Sequence, residues 1–250
     1  MTEKEKQQAG ELYNADDREL FNDRIKAKKL CGEYNVVECN DFQKRERILD
    51  RLLALKGQKT VIEPDFFCDY GYNIILGDNF YANHNLVILD CAEVAFGDNV
   101  FIGPNCGFYT AEHPIDANLR NQGLESAKPI SVGSNVWIGG NVCVLGGVTI
   151  GDNVVIGAGS VVTENIPSNC VAVGNPCRIV KKLEPLAAAP AQSSAESSPA
   201  PAPGQPKAAA PGRSSVQNNA GAPQPAPRKR VELTKVDDPM NHSGFPDRRK

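Results

Sequence analysis

The chain of 250 residues is 41% hydrophobic and 23% charged, which suits a soluble protein with a substantial core. Its formal net charge of −3 is unevenly divided: residues 185–250 hold 9 Lys and Arg against 5 Asp and Glu, whereas residues 1–184 hold 18 against 25. An acidic main body lacks the clustered cations that phosphate contacts need, so nucleic acid is excluded as its partner.

No apolar run approaches the roughly 18–20 residues of a membrane span. The opening MTEKEKQQAGELY has no apolar h-region and does not read as a secretory signal. Eight scattered cysteines without a CxxC pair then read as reduced, mostly buried thiols of a cytoplasmic protein.

The first zone, residues 1–58, reads as helical. Leu20, Ile25 and Leu30 lie among charged residues, and Phe42, Ile48, Leu52, Leu53 and Leu55 follow at near-helical spacing. Asp41 is an N-cap for the later helix, with Lys44 to Arg51 on exposed faces and Gly57 as its stop. Neither helix carries a catalytic cluster of its own, which suits a packing arm or lid.

The second zone, 59–185, is periodic. Val132, Ile138, Val144, Ile150, Ile156 and Val162 recur at a spacing of six, and Val136, Val142, Val148, Val154 and Ser160 follow four positions after the first five of them. An earlier block keeps the period through Leu76, Ala82 and Ile88, slips by two, and resumes at Phe96, Ile102 and Phe108. Neither a helix nor a simple alternation repeats every six residues. A chain that turns a corner every six does, with the aliphatic side chain inward and Gly or Asn-Gly-type residues easing the bend, Gly following the aliphatic position at Gly133, Gly139, Gly151 and Gly157.

The third zone, 186–250, belongs to a tail in which 12 of the chain's 18 prolines lie after residue 184. Such Pro/Ala/Ser composition cannot offset its ordering entropy by burial, so disorder is expected. Its Arg228-Lys229-Arg230 run is too short to assign a partner.

Several segments carry a closer resemblance: TEKEKQQAGELYNADD, FFCDYGYNIILGDNFYANHN, YTAEHPID and VWIGGNVCVLGGVTIGDNVVIGAGSVVTENIPSN followed by VGNPCRIV. Together, over about residues 2–183, the chain resembles the maltose and galactoside O-acetyltransferases among the hexapeptide-repeat acyltransferases. The resemblance implies a mainly β fold, a left-handed parallel β-helix with a short N-terminal helical region. It also implies acetyl-CoA as co-substrate, no metal, a small sugar acceptor and a homotrimer.

The period breaks between Phe108 and Val132, and an interrupted solenoid coil displays its loop for function. His113 stands at the root of that loop. The similar enzymes use the His of this segment as general base, and an imidazole can take a hydroxyl proton as the oxygen attacks a thioester. The thiolate leaves readily, so direct attack needs no acyl-enzyme. Glu125, in the same loop, is expected to orient His113 or bind the sugar, the alternative being a solvated loop charge.

By the same resemblance Asn83 lies beside acceptor and acetyl group, Asp69 and Tyr81 contact the acceptor, and Asp16 reaches the pocket. Cys91 stands where galactoside-type enzymes carry an aspartate, which leans the acceptor toward maltose or glucose. Trp137, Gly140, Ala158, Thr163, Glu164, Arg178 and Lys181 match positions lining the coenzyme A groove, where Arg178 and Lys181 can meet phosphates.

Two other classes share the periodicity. A γ-type carbonic anhydrase needs three zinc-binding histidines per site, and only His84 and His113 occur in the repeat zone. A non-enzymatic scaffold would have no use for the His, Asn and Trp that are all present. The same chemistry on a lipo-oligosaccharide, an antibiotic or a small thiol stays open.

Overall fold

The computed structural model describes residues 1–186, and the proline-rich tail with Arg228-Lys229-Arg230 lies outside the described residues. Three helices open the chain. Helix α1 (Glu3–Gln8) starts from a capping box in which the Thr2 hydroxyl and the Glu5 carboxylate satisfy each other's backbone N–H groups. Helix α2 (Arg18–Asn35) is capped by Asp17, and α3 (Phe42–Leu52) by Asp41, whose carboxylate accepts from Lys44 N–H at 3.0 Å. No helix among the described residues is long and apolar enough to cross a membrane.

Two expectations for α3 need correction. It ends at Leu52, because Leu53 turns extended and the chain enters its first solenoid strand at Leu55–Lys56, before Gly57 is reached. Arg45 is buried: its guanidinium lies 5.9 Å from the Tyr34 ring and 3.7 Å from Glu63, so the stem packs inward while the head finds a carboxylate.

From Leu55 onward the chain winds a left-handed parallel β-helix of about six turns. It visits three sheets in rotation. The first stacks Leu55–Lys56, Ile74–Leu76, Val94–Phe96, Ile130–Val132 and Thr149–Ile150. The second runs Val61–Ile62, Tyr81–Ala82, Phe101–Ile102, Trp137–Ile138, Val154–Ile156 and Cys170–Val173, closed by the antiparallel strand Arg178–Lys182. The third holds Phe66–Cys68, Leu86–Leu89, Gly107–Tyr109, Cys143–Leu145 and Val161–Val162.

Register gives the coil length directly. Val61 pairs with Tyr81 and Tyr81 with Phe101, twenty residues apart, whereas Trp137 pairs with Val155, eighteen apart or three hexads. The six-residue aliphatic series is inward throughout: Val132, Ile138, Val144, Ile150, Ile156 and Val162 are each 2% exposed or less. Phe80, Phe96 and Phe108 fill the wide early coils edge to face, at 5.2 and 5.0 Å between ring centroids.

The bends are made by asparagine as much as by glycine. Asn79, Asn99, Asn135 and Asn153 at one corner, and Asn85, Asn105 and Asn141 at another, take φ near +57°, the left-handed region that Asn tolerates best after Gly. Their amides ladder from coil to coil, Asn79 to Asn99 at 2.9 Å and Asn99 to Asn135 at 3.3 Å. The glycines after the inward aliphatics answer a different need: a Cβ on Gly133 would lie 2.5 Å from the Asp152 carboxylate and 2.8 Å from the Gly151 carbonyl carbon of the next coil.

The helices cover the open end of the solenoid. The Asn35 side chain donates to Phe66 O at 3.0 Å and accepts from Phe66 N–H at 2.9 Å, while the Tyr34 hydroxyl donates to Ile62 O at 2.6 Å. Edge strands that would otherwise offer free backbone groups are thereby satisfied.

Candidate active site

The interrupted coil sets the geometry. Phe101 pairs with Trp137, thirty-six residues on, because the chain leaves the corner after Gly107–Tyr109, makes the short helix α4 (Ala117–Arg120) under an Asp116 cap, and returns through Leu124–Ala127. The returning strand pairs antiparallel with Ala111–Glu112 on one side and with Tyr13–Asn14 of the N-terminal arm on the other. This three-stranded ribbon joins the loop, the arm and the corner that carries His113.

Asp69 and Cys91 follow third-sheet strands on successive coils, and His113 follows Ala111–Glu112 of the ribbon one coil later. The His113 side chain is 60% exposed, and its Nε2 stands 3.8 Å from Glu125 Oε1. That distance exceeds a hydrogen bond but is well within Coulomb reach. The other Glu125 oxygen, Oε2, accepts from the Tyr13 hydroxyl at 3.0 Å. Asp16 lies on the arm next to the loop turn, where a Cβ on Gly123 would come within 3.9 Å of its carboxylate.

Below His113, the Cys91 thiol donates to Asp69 Oδ2 at 3.6 Å. Burial, with the Asp69 carboxylate beside it, pushes the Cys91 thiol well up, so it stays protonated. Burial also raises Asp69, against the pull of the Cys91 thiol and Arg24. A cavity of about 420 Å³ opens beside Asp69, lined also by Lys28, Cys31, Phe67 and Leu89. The Asp69 turn is anchored by Asp90, whose wholly buried carboxylate accepts from the N–H groups of Asp69, Tyr70 and Asn73 at 3.0, 2.8 and 3.3 Å.

The remaining candidates lie elsewhere on the same chain. Tyr81 and Trp137 point outward from the second sheet, in one column with Phe101, and Trp137 is 60% exposed. Asn83, Gly140 and Ala158 occupy the corner between the second and third sheets, where Gly159 N–H bonds to Gly140 O at 2.9 Å. Arg178 and Lys181 sit on the closing antiparallel strand, and Arg178 pairs with Glu164 at 3.0 Å, which places Glu164 and the adjoining Thr163 near that end. Within one chain, His113 and Asn83 thus occupy different corners of the prism.

Sequence reasoning passed over Tyr13 and Asp90. Tyr13 is a fully buried aromatic in the polar segment preceding Asp16, a combination that could have marked it. Asp90 offers no such signal, because only the coil geometry brings three N–H groups onto its carboxylate.

Comparison with known proteins agrees with this architecture. A protein of Saccharomyces cerevisiae, provisionally named an acetyltransferase, is 54% identical over 175 residues, covering 70% of this chain and 89% of its own. The solved maltose O-acetyltransferase from Clostridium difficile 630 is 52% identical with a TM-score of 0.73, over 74% of this chain and 99% of that one. The chain belongs to the maltose and galactoside O-acetyltransferase family.

Two family models match parts of the chain. The maltose acetyltransferase hexapeptide capping motif matches residues 6–57, which include α2 and α3, and the bacterial transferase hexapeptide, with six repeats, matches 129–164. A galactoside acetyltransferase solved in complex with coenzyme A is 42% identical at a TM-score of 0.71, covering 74% of this chain and 92% of that one.

Proposed function

We propose that this chain is an acetyl-CoA-dependent O-acetyltransferase that acts on a sugar hydroxyl, with His113 as general base, in the cytoplasm. The observation that carries the proposal is the cluster in which Glu125 faces His113 and its charge also reaches the bonded pair of Asp69 and Cys91. Relatives solved with coenzyme A, and one from Vibrio cholerae solved with acetyl coenzyme A, support the co-substrate.

The chemistry follows from the parts. His113 takes the acceptor proton as the hydroxyl oxygen attacks the thioester carbonyl, and the facing Glu125 carboxylate stabilises the imidazolium that forms. The new C–O bond replaces the C–S bond, and the coenzyme leaves as its thiol after reprotonation. Asp69, partly desolvated, grips sugar hydroxyls, and Asp16 reaches the same acceptor from the arm. Cys91 contributes a neutral thiol where galactoside-type enzymes have a carboxylate, so glucose or maltose is the favoured acceptor.

Asn83, Tyr81 and the coenzyme-facing groups Trp137, Gly140, Ala158, Thr163, Glu164, Arg178 and Lys181 complete the site from a neighbouring copy in a homotrimer. Two observations favour this arrangement. The two half-sites lie at different corners of one prism, and the column Tyr81, Phe101 and Trp137 presents aromatic surface outward.

Release of free coenzyme A thiol across a panel of sugars tests the activity. His113→Ala should lower kcat by about 10²–10⁴-fold while leaving acetyl-CoA affinity nearly unchanged. Near-normal turnover in that variant discards the mechanism. A clear preference for a β-galactoside over maltose overturns the acceptor assignment.

A further inference from the structure

We propose that Tyr13 is a positioning residue for the transfer step: its hydroxyl fixes the Glu125 carboxylate opposite His113, so the N-terminal arm sets the geometry of the general base. The inference rests on the function proposed above and adds to it a residue outside the periodic zone.

Three observations carry it. Tyr13 is fully buried, and its hydroxyl donates to Glu125 Oε2 at 3.0 Å while Oε1 of the same carboxylate faces His113 Nε2 at 3.8 Å. The backbone repeats the link, since Tyr13 and Glu125 are directly opposed in the antiparallel pairing of arm and loop. Without this bond no side-chain hydrogen-bond donor among the described residues holds Glu125. It sits on a loop strand near the Asp69 carboxylate and the Cys91 thiol, both of which feel its charge. Like-charge repulsion from Asp69 would turn a free carboxylate toward solvent, away from the imidazole. The nearby Glu112 carboxylate does not substitute, because it is held by Lys128 at 2.8 Å.

The arm that carries Tyr13 is itself locked. The Glu3 carboxylate accepts from Asn14 N–H at 2.5 Å, and Arg24 bridges Ala15 O at 2.6 Å and the Tyr70 hydroxyl at 2.8 Å. A tyrosine on a rigid arm loses little freedom when it donates, which is what a positioning hydrogen bond requires.

The decisive variant is Tyr13→Phe, which keeps the buried ring and removes only the hydroxyl. The expected result is a kcat about tenfold lower, with KM for acetyl-CoA unchanged and the melting temperature held. In a Glu125→Gln background the same change should cost less than twofold, because both substitutions break one link. Full additivity of the two losses, or an unaltered kcat in Tyr13→Phe, overturns the proposal.

A second readout needs no turnover. The imidazole Hε1 resonance of His113 should move in Tyr13→Phe while that of His84 stays in place. An unmoved His113 resonance refutes the link. If wild-type chain transfers acetyl to no sugar on the panel, the functional proposal fails, and the resonance still decides the positioning of His113 by Tyr13.

Discussion

Asp90→Asn probes how the fold holds the turn that carries Asp69. The wholly buried Asp90 carboxylate collects three backbone N–H groups, yet burial outweighs those bonds and raises its pKa from 3.8 to about 6. A carboxyl that binds its proton more tightly when folded contributes stability that is fully present below pH 3.8 and lost as pH rises through about 6. The span of about two pH units corresponds to roughly 3 kcal/mol, at about 1.4 kcal/mol per unit.

Asparagine at this position never ionises, so it escapes that loss. Its carbonyl can keep the bonds from Asp69 and Tyr70, while its amide faces the Asn73 N–H and forfeits the bond at 3.3 Å. That forfeit costs about 1–2 kcal/mol at every pH. Asp90→Asn should therefore be less stable than the parent at pH 4 and equal or slightly more stable at pH 7.5, with the gap moving by about 2.4 kcal/mol over that range. Urea melts at several pH values measure it, at one fixed chain concentration, because association would otherwise shift the midpoints. A gap that stays constant within about 1 kcal/mol from pH 4 to 7.5 would refute burial as the dominant influence on Asp90.

Gly139→Ala should destabilise by about 1–3 kcal/mol, because its Cβ would stand 2.6 Å from Ala158 N and 2.9 Å from Ala158 Cα, both rigid backbone. Gly32→Ala, inside α2 with nothing within 4 Å, should instead gain about 1 kcal/mol, and thermal melts of the pair distinguish close approach from propensity. Asn99→Ala should cost more than Asn99→Gly, since glycine keeps the φ of +57° and both lose the amide ladder; equal losses would show that the ladder alone matters. Arg178→Ala should raise KM for acetyl-CoA with kcat little changed. Mixing inactive His113→Ala chains with chains inactivated at Arg178 and Trp137 should restore activity, and verified mixed trimers without any recovery would exclude sites shared between copies.

The amino-acid sequence by itself determined the repeat and most of the fold. A six-residue period is local and reiterated, so each coil restates which side chain turns inward, and the burial of Val132 through Val162 follows from spacing alone. The break between Phe108 and Val132 likewise located the loop that interrupts the solenoid and carries Glu125, because a missing beat is visible wherever the rhythm is strong. The family segments supplied His113, Glu125, Asp69 and Cys91, which the corner brings together. Even the bends were half legible: Gly and Asn-Gly-type residues were expected at the corners, while the left-handed conformation of Asn79, Asn99, Asn135 and Asn153 and their ladder from coil to coil were not.

Tertiary structure alone decided the rest. Tyr13 and Glu125 are 112 residues apart, and no periodicity links an arm outside the repeat to a loop that interrupts it. Their meeting depends on where α1 and α2 pack against the first coils. Asp90 found its three donors only because the chain passes the same corner one coil earlier. The prism also separated His113 from Asn83, since residues one corner apart along the chain point in different directions in space. Periodicity fixes which way each side chain faces within its own coil; which groups share a pocket depends on how coils and arm are stacked.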